Sequence, residues 1–194
     1  MNQKIVVTDV ETGGTDPQEH SLLQVALVVF ENGLELDALK LNIVHDAYRV
    51  TPRAMEINKI DLETHEGYKP EEAVQMILDF MKKHFEKPAQ VCGHNVGFDV
   101  GFLKVLFKMV GVDYDKIFSY RLLDTSAVAR FLVFAGIIPP RGSLGDLAKH
   151  FNVPHDPKEL HDALVDCRVT YQLLVEMTKM FPSAVTDTDV SEAI

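Results

Sequence analysis

Apolar and polar positions along the chain fall into stretches whose periods separate strands from helices. Residues 4–11 are rich in β-branched side chains and end just before Gly13-Gly14, the pattern of a buried strand leaving a sheet into a tight turn. Residues 21–31 form a second apolar run. The dipeptide Asn32-Gly33 is a strong hairpin signal, and residues 34–44 then alternate as a third strand. Helical spacing follows. Thr51-Pro52 predicts a short helix through Ile57, with Pro at the first helical position. Pro70-Glu71-Glu72 predicts another, with acids in its first turn. Its Val74, Ile77, Leu78 and Met81 recur at i, i+3, i+4 and i+7, so this helix should lie against the sheet.

Residues 89–93 read as a short buried strand, 98–110 as a helix, and Leu122-Leu123-Asp124 as the end of another strand. Further helices are predicted over 126–135 and 143–151, and Pro154 and Pro157 then break the chain before a long helix over 162–180. Three antiparallel strands followed by alternating helices and strands predict an α/β domain with a mixed sheet flanked by helices. A ligand site in such a sheet lies at the strand ends, where Asp9 and Glu11 emerge. No repeat and no linker interrupts the pattern. Residues 1–181 are expected to form one domain, and 182–194, acidic and small, a frayed tail.

Composition narrows the setting. The 194 residues can bury a real core, and 46% hydrophobic with 25% charged content is that of a soluble globular protein. No basic-then-apolar signal precedes the first strand, and no apolar run nears the roughly 20 residues that span a bilayer. No membrane partner is expected. Cys92 and Cys167 are too few for a disulfide framework; they fit a reducing, cytoplasmic setting, each packed as a small hydrophobe. Net charge is −10, from 19 basic and 29 acidic residues, which argues against a broad non-specific nucleic-acid surface. It leaves room for a nuclease in which metal ions supply the positive charge where phosphate sits.

Candidate chemistry begins with Asp9 and Glu11. Alternation puts both carboxylates on one strand face, where they repel unless a cation lies between them, and a hard divalent ion such as Mg²⁺ suits oxygen donors. Taken alone, such a pair also fits a solvated strand end. Asp99, in Gly93-His94-Asn95-Val96-Gly97-Phe98-Asp99, lies where a strand hands over to a helix and alone reads as a cap. In the third cluster, His161 and Asp166 are i and i+5. On a regular helix they would part in azimuth, so His161 belongs on the incoming loop and Asp166 on the helix; by themselves they read as an exposed histidine and a surface acid.

Together the clusters resemble the DEDDh exonucleases, the branch of the ribonuclease-H-like superfamily that contains ribonuclease T and the proofreading epsilon subunit of bacterial DNA polymerase III. Asp9 and Glu11 match the first motif, and Asp99 the second, within His-Asn-x-x-Phe-Asp. His161 and Asp166 match the third, His-x-x-x-x-Asp, and the resemblance runs over 4–177. It implies a ribonuclease-H-like fold and a 3′-to-5′ exonuclease that releases nucleoside 5′-monophosphates from single-stranded DNA or RNA. It implies two divalent cations, Mg²⁺ or Mn²⁺, that clamp the scissile phosphate. Asp9 would bridge them, Glu11 and Asp166 would hold the nucleophile-side ion, and Asp99 would act on the other. His161 would take the proton from the attacking water.

By the same resemblance Thr12 and Gly13 face the terminal sugar and Phe98 packs beside it, while Phe102 reads as core. Ile57 and Asn58, in a segment that often reads Asn-Gly-Ile or His-Gly-Ile in relatives, wedge or contact the last bases. Three positions depart from the pattern. Lys59 replaces the usual Gly, which adds a phosphate contact or changes the local backbone. Thr15 stands where relatives often have an apolar or aromatic residue, and without a ring it cannot supply base stacking worth roughly 1–3 kcal/mol. Gln24 stands where relatives commonly carry Glu. Lys82-Lys83 and Lys104 with Lys108 read as solvated faces, whereas Arg49, Arg53 and Lys59 form a candidate local phosphate track.

Three rival readings remain open: a proofreading exonuclease acting with a DNA polymerase, a catalytically silent nucleic-acid-binding module of the same fold, and a metal-dependent phosphatase. The intact set of acids with His161 argues against the silent module. Some relatives pair so that one subunit's basic surface serves the other's active site, which makes a homodimer a further expectation. The choice between ribose and deoxyribose depends on space around a 2′-hydroxyl, which spacing alone does not reveal.

Overall fold

The computed structural model of the chain describes residues 4–157 and 160–181, and the tail expected over 182–194 lies outside the described residues. Strands β1 (Ile5–Thr12), β2 (Leu22–Glu31), β3 (Leu34–Asn42), β4 (Ala89–Gly93) and β5 (Phe118–Asp124) form one sheet in the order β3-β2-β1-β4-β5. β1 pairs antiparallel with β2, and β2 with β3, through the Asn32-Gly33 turn. β4 adds parallel to β1, and β5 parallel to β4. The expected mixed α/β sheet of ribonuclease-H-like type is therefore present, with β1 at its centre. Helices α1 (Pro52–Asn58), α2 (Pro70–His84), α3 (Gly97–Met109), α4 (Thr125–Phe134), α5 (Leu144–His150) and α6 (Ala163–Thr178) flank it.

Side-chain alternation sorts the sheet into two cores. Val6, Val10, Val25, Leu27 and Val29 pack with α2 and α3 through Ile77, Leu103 and Phe107. Ile5, Val7, Ala26, Val28 and Phe30 pack with α6 through Ala163, Cys167, Tyr171 and Leu174. Cover on both faces explains why β2 is apolar almost throughout. On the second face Phe30 stacks on Tyr171 with centroids 3.7 Å apart, an aromatic contact worth about 0.5–1.5 kcal/mol beyond area burial. Small side chains at Ala26 and Cys167 let α6 approach closely: the Cys167 thiol lies 3.7 Å from the Ala26 carbonyl oxygen. Burial pushes the thiol of Cys92 up to about 12 and that of Cys167 upward too, so both are inert packing residues.

Local chemistry sets the element ends. The Thr51 side chain accepts from Ala54 N to open α1, and Pro52 follows it. Glu72 accepts from the backbone N–H of Lys69 to open α2. Asp124 caps α4 by accepting from Ser126 N, so α4 starts at Thr125 rather than 126. β3 ends at Asn42, short of the expected 44, and Ile43 continues only as a bridge to Tyr68.

Candidate active site

β1 is the scaffold. Parallel pairing with β4 covers only Val6 and Val7, and further along the backbone N–H of Val10 donates to Asp99 Oδ1 at 3.0 Å. Asp99 belongs to the first turn of α3 and is buried. It therefore reaches the end of β1, where the sheet leaves a donor for it.

Asp9 and Glu11 continue the face of β1 that Ile5 and Val7 turn toward α6. Asp162 caps α6, its side chain accepting from Leu164 N and Val165 N, and the first turn carries Asp166. His161 precedes the cap in a left-handed conformation, φ 74, and its backbone N–H donates to Asp166 Oδ2 at 3.2 Å. That turn, rather than helical spacing, brings the i, i+5 pair together. One ligand atom from each of Glu11, His161 and Asp166 lies within 4.8 Å of the other two. His161 is exposed at the lip, and the two acids are buried.

Among the described residues, Asp166 Oδ1 is a buried oxygen with no hydrogen-bond partner. Such an atom costs about 1–3 kcal/mol unless something satisfies it. Electrostatics point the same way. Burial first, then Asp99, Asp166 and Glu11, push Asp9 well above the usual carboxylate range. Burial, then Asp166 and Asp162, push Glu11 up to about 8. Burial also raises Asp99 and Asp166. Lys40 opposes the shift of Glu11, but its ammonium is paired with Asp162. Crowded, buried oxygen donors with one oxygen unpartnered fit a hard divalent cation.

Beside Glu11 opens a cleft of about 460 Å³, walled by Glu11, Thr12 and Gly14 at the exit of β1, by Ala54, Ile57 and Asn58 of α1, and by Phe98 of α3. The Thr12 hydroxyl donates to the Gly14 carbonyl at 2.7 Å. Gly13 is not among the lining residues. A Cβ there would stand 2.4 Å from the Arg49 carbonyl oxygen, and the Gly13 carbonyl accepts from Thr51 N at 2.6 Å. Gly13 thus lets the segment leading into α1 cross the end of β1. Asn58 is buried; its side-chain amide donates to the Thr12 carbonyl at 3.0 Å and its Oδ1 accepts from Ile60 N at 3.0 Å. Its polar atoms hold α1 to β1. Ile57 is exposed toward the cleft, and Phe98 is half-buried with its ring 5.1 Å from that of Phe102, which is core.

Arg49 and Lys59 are exposed, and Arg53 lines the cleft while pairing with Glu56 at 3.2 Å. Lys83 pairs with Asp37 and Lys104 with Asp115 on the surface, as expected of solvated faces. Lys59 keeps a left-handed backbone, φ 58, as the cap of α1, so its side chain leaves a glycine-like turn in place. Two further residues, Asp162 and Lys40, belong to the site as an ion pair. Asp162 is the residue before an apolar-periodic helix, the usual signature of a cap, whereas nothing local marks Lys40.

A family model described as "Exonuclease", of the ribonuclease T type, matches residues 6–174. Ribonuclease T of Actinobacillus pleuropneumoniae is 26% identical over 184 residues, covering 89% of this chain and 82% of its own. The PolC-type DNA polymerase III of Thermotoga petrophila is 28% identical over 181 residues, covering 92% of this chain but 12% of the polymerase. Among solved structures, E. coli exonuclease I in complex with a dA16 oligonucleotide aligns at a TM-score of 0.77 with 20% identity. The alignment covers 92% of this chain and 41% of exonuclease I, so the likeness is one of fold.

Proposed function

The chain belongs to the exonuclease family, and on that premise we propose that it shortens single-stranded DNA or RNA from the 3′ end, releasing nucleoside 5′-monophosphates, within one domain over residues 1–181. The observation that carries this reading is the unpartnered, buried Oδ1 of Asp166 beside Glu11 and His161. Asp9, Glu11, Asp99 and Asp166 would hold two divalent cations, Mg²⁺ or Mn²⁺. Bound there, the ions would neutralise the phosphate and stabilise the attacking and leaving oxygens.

The remaining steps belong to the chain. The exposed imidazole of His161 takes a proton from the attacking water, and its backbone N–H steadies the Asp166 carboxylate. Thr12 receives the terminal sugar, with Gly13 fixing the turn beside it. Ile57 and Phe98 supply apolar walls for the terminal nucleotide, and Asn58 holds those walls to β1. Arg49, Arg53 and Lys59 would meet phosphates further along the strand, a reading supported by the exposure of Arg49 and Lys59 and by Arg53 on the cleft wall.

Similarity to PolC-type polymerases supports a second reading, proofreading in company with a DNA polymerase. A homodimer and a cytoplasmic setting are carried as parts of the proposal. Two buried free thiols fit that setting, and among the described residues no helix is long and apolar enough to cross a membrane. The test is product analysis on 5′-labelled DNA and RNA single strands with Mg²⁺ or Mn²⁺, with EDTA, and with Asp9→Ala. Stepwise 3′ shortening that needs both metal and Asp9 is expected, and the ratio of the two substrates reports the sugar preference. Intact strands under every metal condition would overturn the stand-alone activity.

A further inference from the structure

Gln24 is the polar interruption of the apolar β2, buried at 8% exposure, and it stands in register with Glu11 on one side and Asn42 on the other. The N–H groups opening a helix have no partners within it. In α6 the Asp162 side chain takes those of Leu164 and Val165, and the regular helical ladder begins with the Asp166 N–H on the Asp162 carbonyl. The first, Ala163 N–H, donates to Gln24 Oε1 at 3.3 Å. The other end of the amide donates from Nε2 to Asn42 Oδ1 at 2.9 Å, and Asn42 Nδ2 donates to the Glu66 carbonyl at 3.0 Å. Each amide is thus oriented by a donor on one side and an acceptor on the other. The chain of bonds runs from the 66 carbonyl across β3 and β2 to Ala163, which lies between His161 and Asp166.

Resting on the exonuclease reading, we infer that Gln24 is a positioning residue for the divalent-cation site: through Ala163 it sets Asp166 and His161 against Glu11 on the adjoining strand. An amide suits the place. It accepts from Ala163 and donates to Asn42 without adding a negative charge beside Glu11. A brace that served stability alone would leave cation affinity unchanged when replaced.

The experiment measures Mn²⁺ binding to the full chain by titration calorimetry without nucleic acid, together with the thermal midpoint in EDTA. Gln24→Leu keeps roughly the volume and gives up both contacts. It is expected to weaken Mn²⁺ binding about 10- to 100-fold, the usual loss when support behind a ligand is removed, and to lower the midpoint in EDTA as well, because the Ala163 N–H is left without its acceptor. Gln24→Glu keeps the acceptor for Ala163 N–H, though it gives up the donor to Asn42, and should recover part of that affinity in salt that screens the added charge. If Gln24→Leu does not fold, Asn42→Ala frees the far end of the amide and should weaken Mn²⁺ binding by a smaller factor. Wild-type affinity in the folded variant, with Asp9→Ala losing Mn²⁺, would overturn this inference and leave the exonuclease reading intact. Absence of Mn²⁺ binding in the wild type would overturn both.

Discussion

The carboxylate of Asp99 accepts a hydrogen bond at 3.0 Å from the backbone N–H of Val10, a residue 89 positions earlier that lies between Asp9 and Glu11. One bond thus joins the first acid cluster to the second and also satisfies a sheet donor beyond the pairing of β4. Asp99→Asn retains an acceptor for that donor and removes one carboxyl from a buried, acidic crowd. In EDTA at neutral pH it should be at least as stable as the wild type, yet lose metal-dependent cleavage. Asp99→Ala leaves the Val10 N–H unpaired and should cost about 1–3 kcal/mol. Urea unfolding of both variants in EDTA checks this; equal midpoints would mean that the bond contributes nothing.

Stability without metal should fall as pH rises. Burial and neighbouring acids push Glu11 up to about 8 in the fold, with Asp9, Asp99 and Asp166 shifted the same way. In the unfolded chain these groups titrate near pH 4, about the ordinary value. Over the interval between, the native state binds more protons than the unfolded state. The stability that protonated Glu11 contributes is complete below its unfolded pKa and is lost as pH climbs through about 8. A divalent cation needs deprotonated ligands, so stabilisation by Mg²⁺ should grow over the same interval. Thermal midpoints from about pH 5 to about pH 8 should decline in EDTA and decline less with Mg²⁺. A steady rise in EDTA would sink the crowded-carboxylate account.

His161 touches Asp166 through its main chain, 3.2 Å from N to Oδ2, while its side chain is exposed. Changing the side chain therefore leaves that bond in place. Asn tolerates the left-handed backbone found here better than most residues. His161→Asn should slow turnover by about 10²- to 10⁴-fold, the span of a lost general base, with Mn²⁺ affinity near that of the wild type. A parallel loss of Mn²⁺ affinity would recast the imidazole as a ligand.

What the sequence made legible was what short-range pattern controls. Alternation in β1 placed Asp9 and Glu11 on one face, and the stripe in α2 placed Val74 and Ile77 in the core, because period alone determines both. What depends on one segment crossing another was not legible. Gly13 read as a turn residue, yet its lack of a side chain answers the approach of the Arg49 carbonyl. Asn58 read as a base contact, and its spacing gave no sign that its amide also donates to Thr12 and accepts from Ile60. Gln24 read only as a departure from a pattern, since its partners Ala163 and Asn42 come from a distant helix and the next strand. The meeting of His161 with Asp166 rests on a left-handed residue that spacing does not encode.

Lys59 holds a left-handed backbone, a conformation that favours glycine. It closes α1 at φ 58 and ψ 20, with its N–H bonded to the Met55 carbonyl at 3.0 Å. Lys59→Gly removes the strain of a left-handed lysine and should raise stability by about 0.5–1 kcal/mol. Lys59→Ala removes the charge and keeps the strain, so its stability should stay near that of the wild type. If the exposed ammonium meets a substrate phosphate, both variants raise KM with kcat unchanged, and the difference from wild type shrinks as salt screens the contact. Urea unfolding separates the first effect from the second, which steady-state kinetics at two salt concentrations would measure. Unchanged KM in both variants would remove Lys59 from the phosphate track, leaving Arg49 and Arg53 to guide the strand.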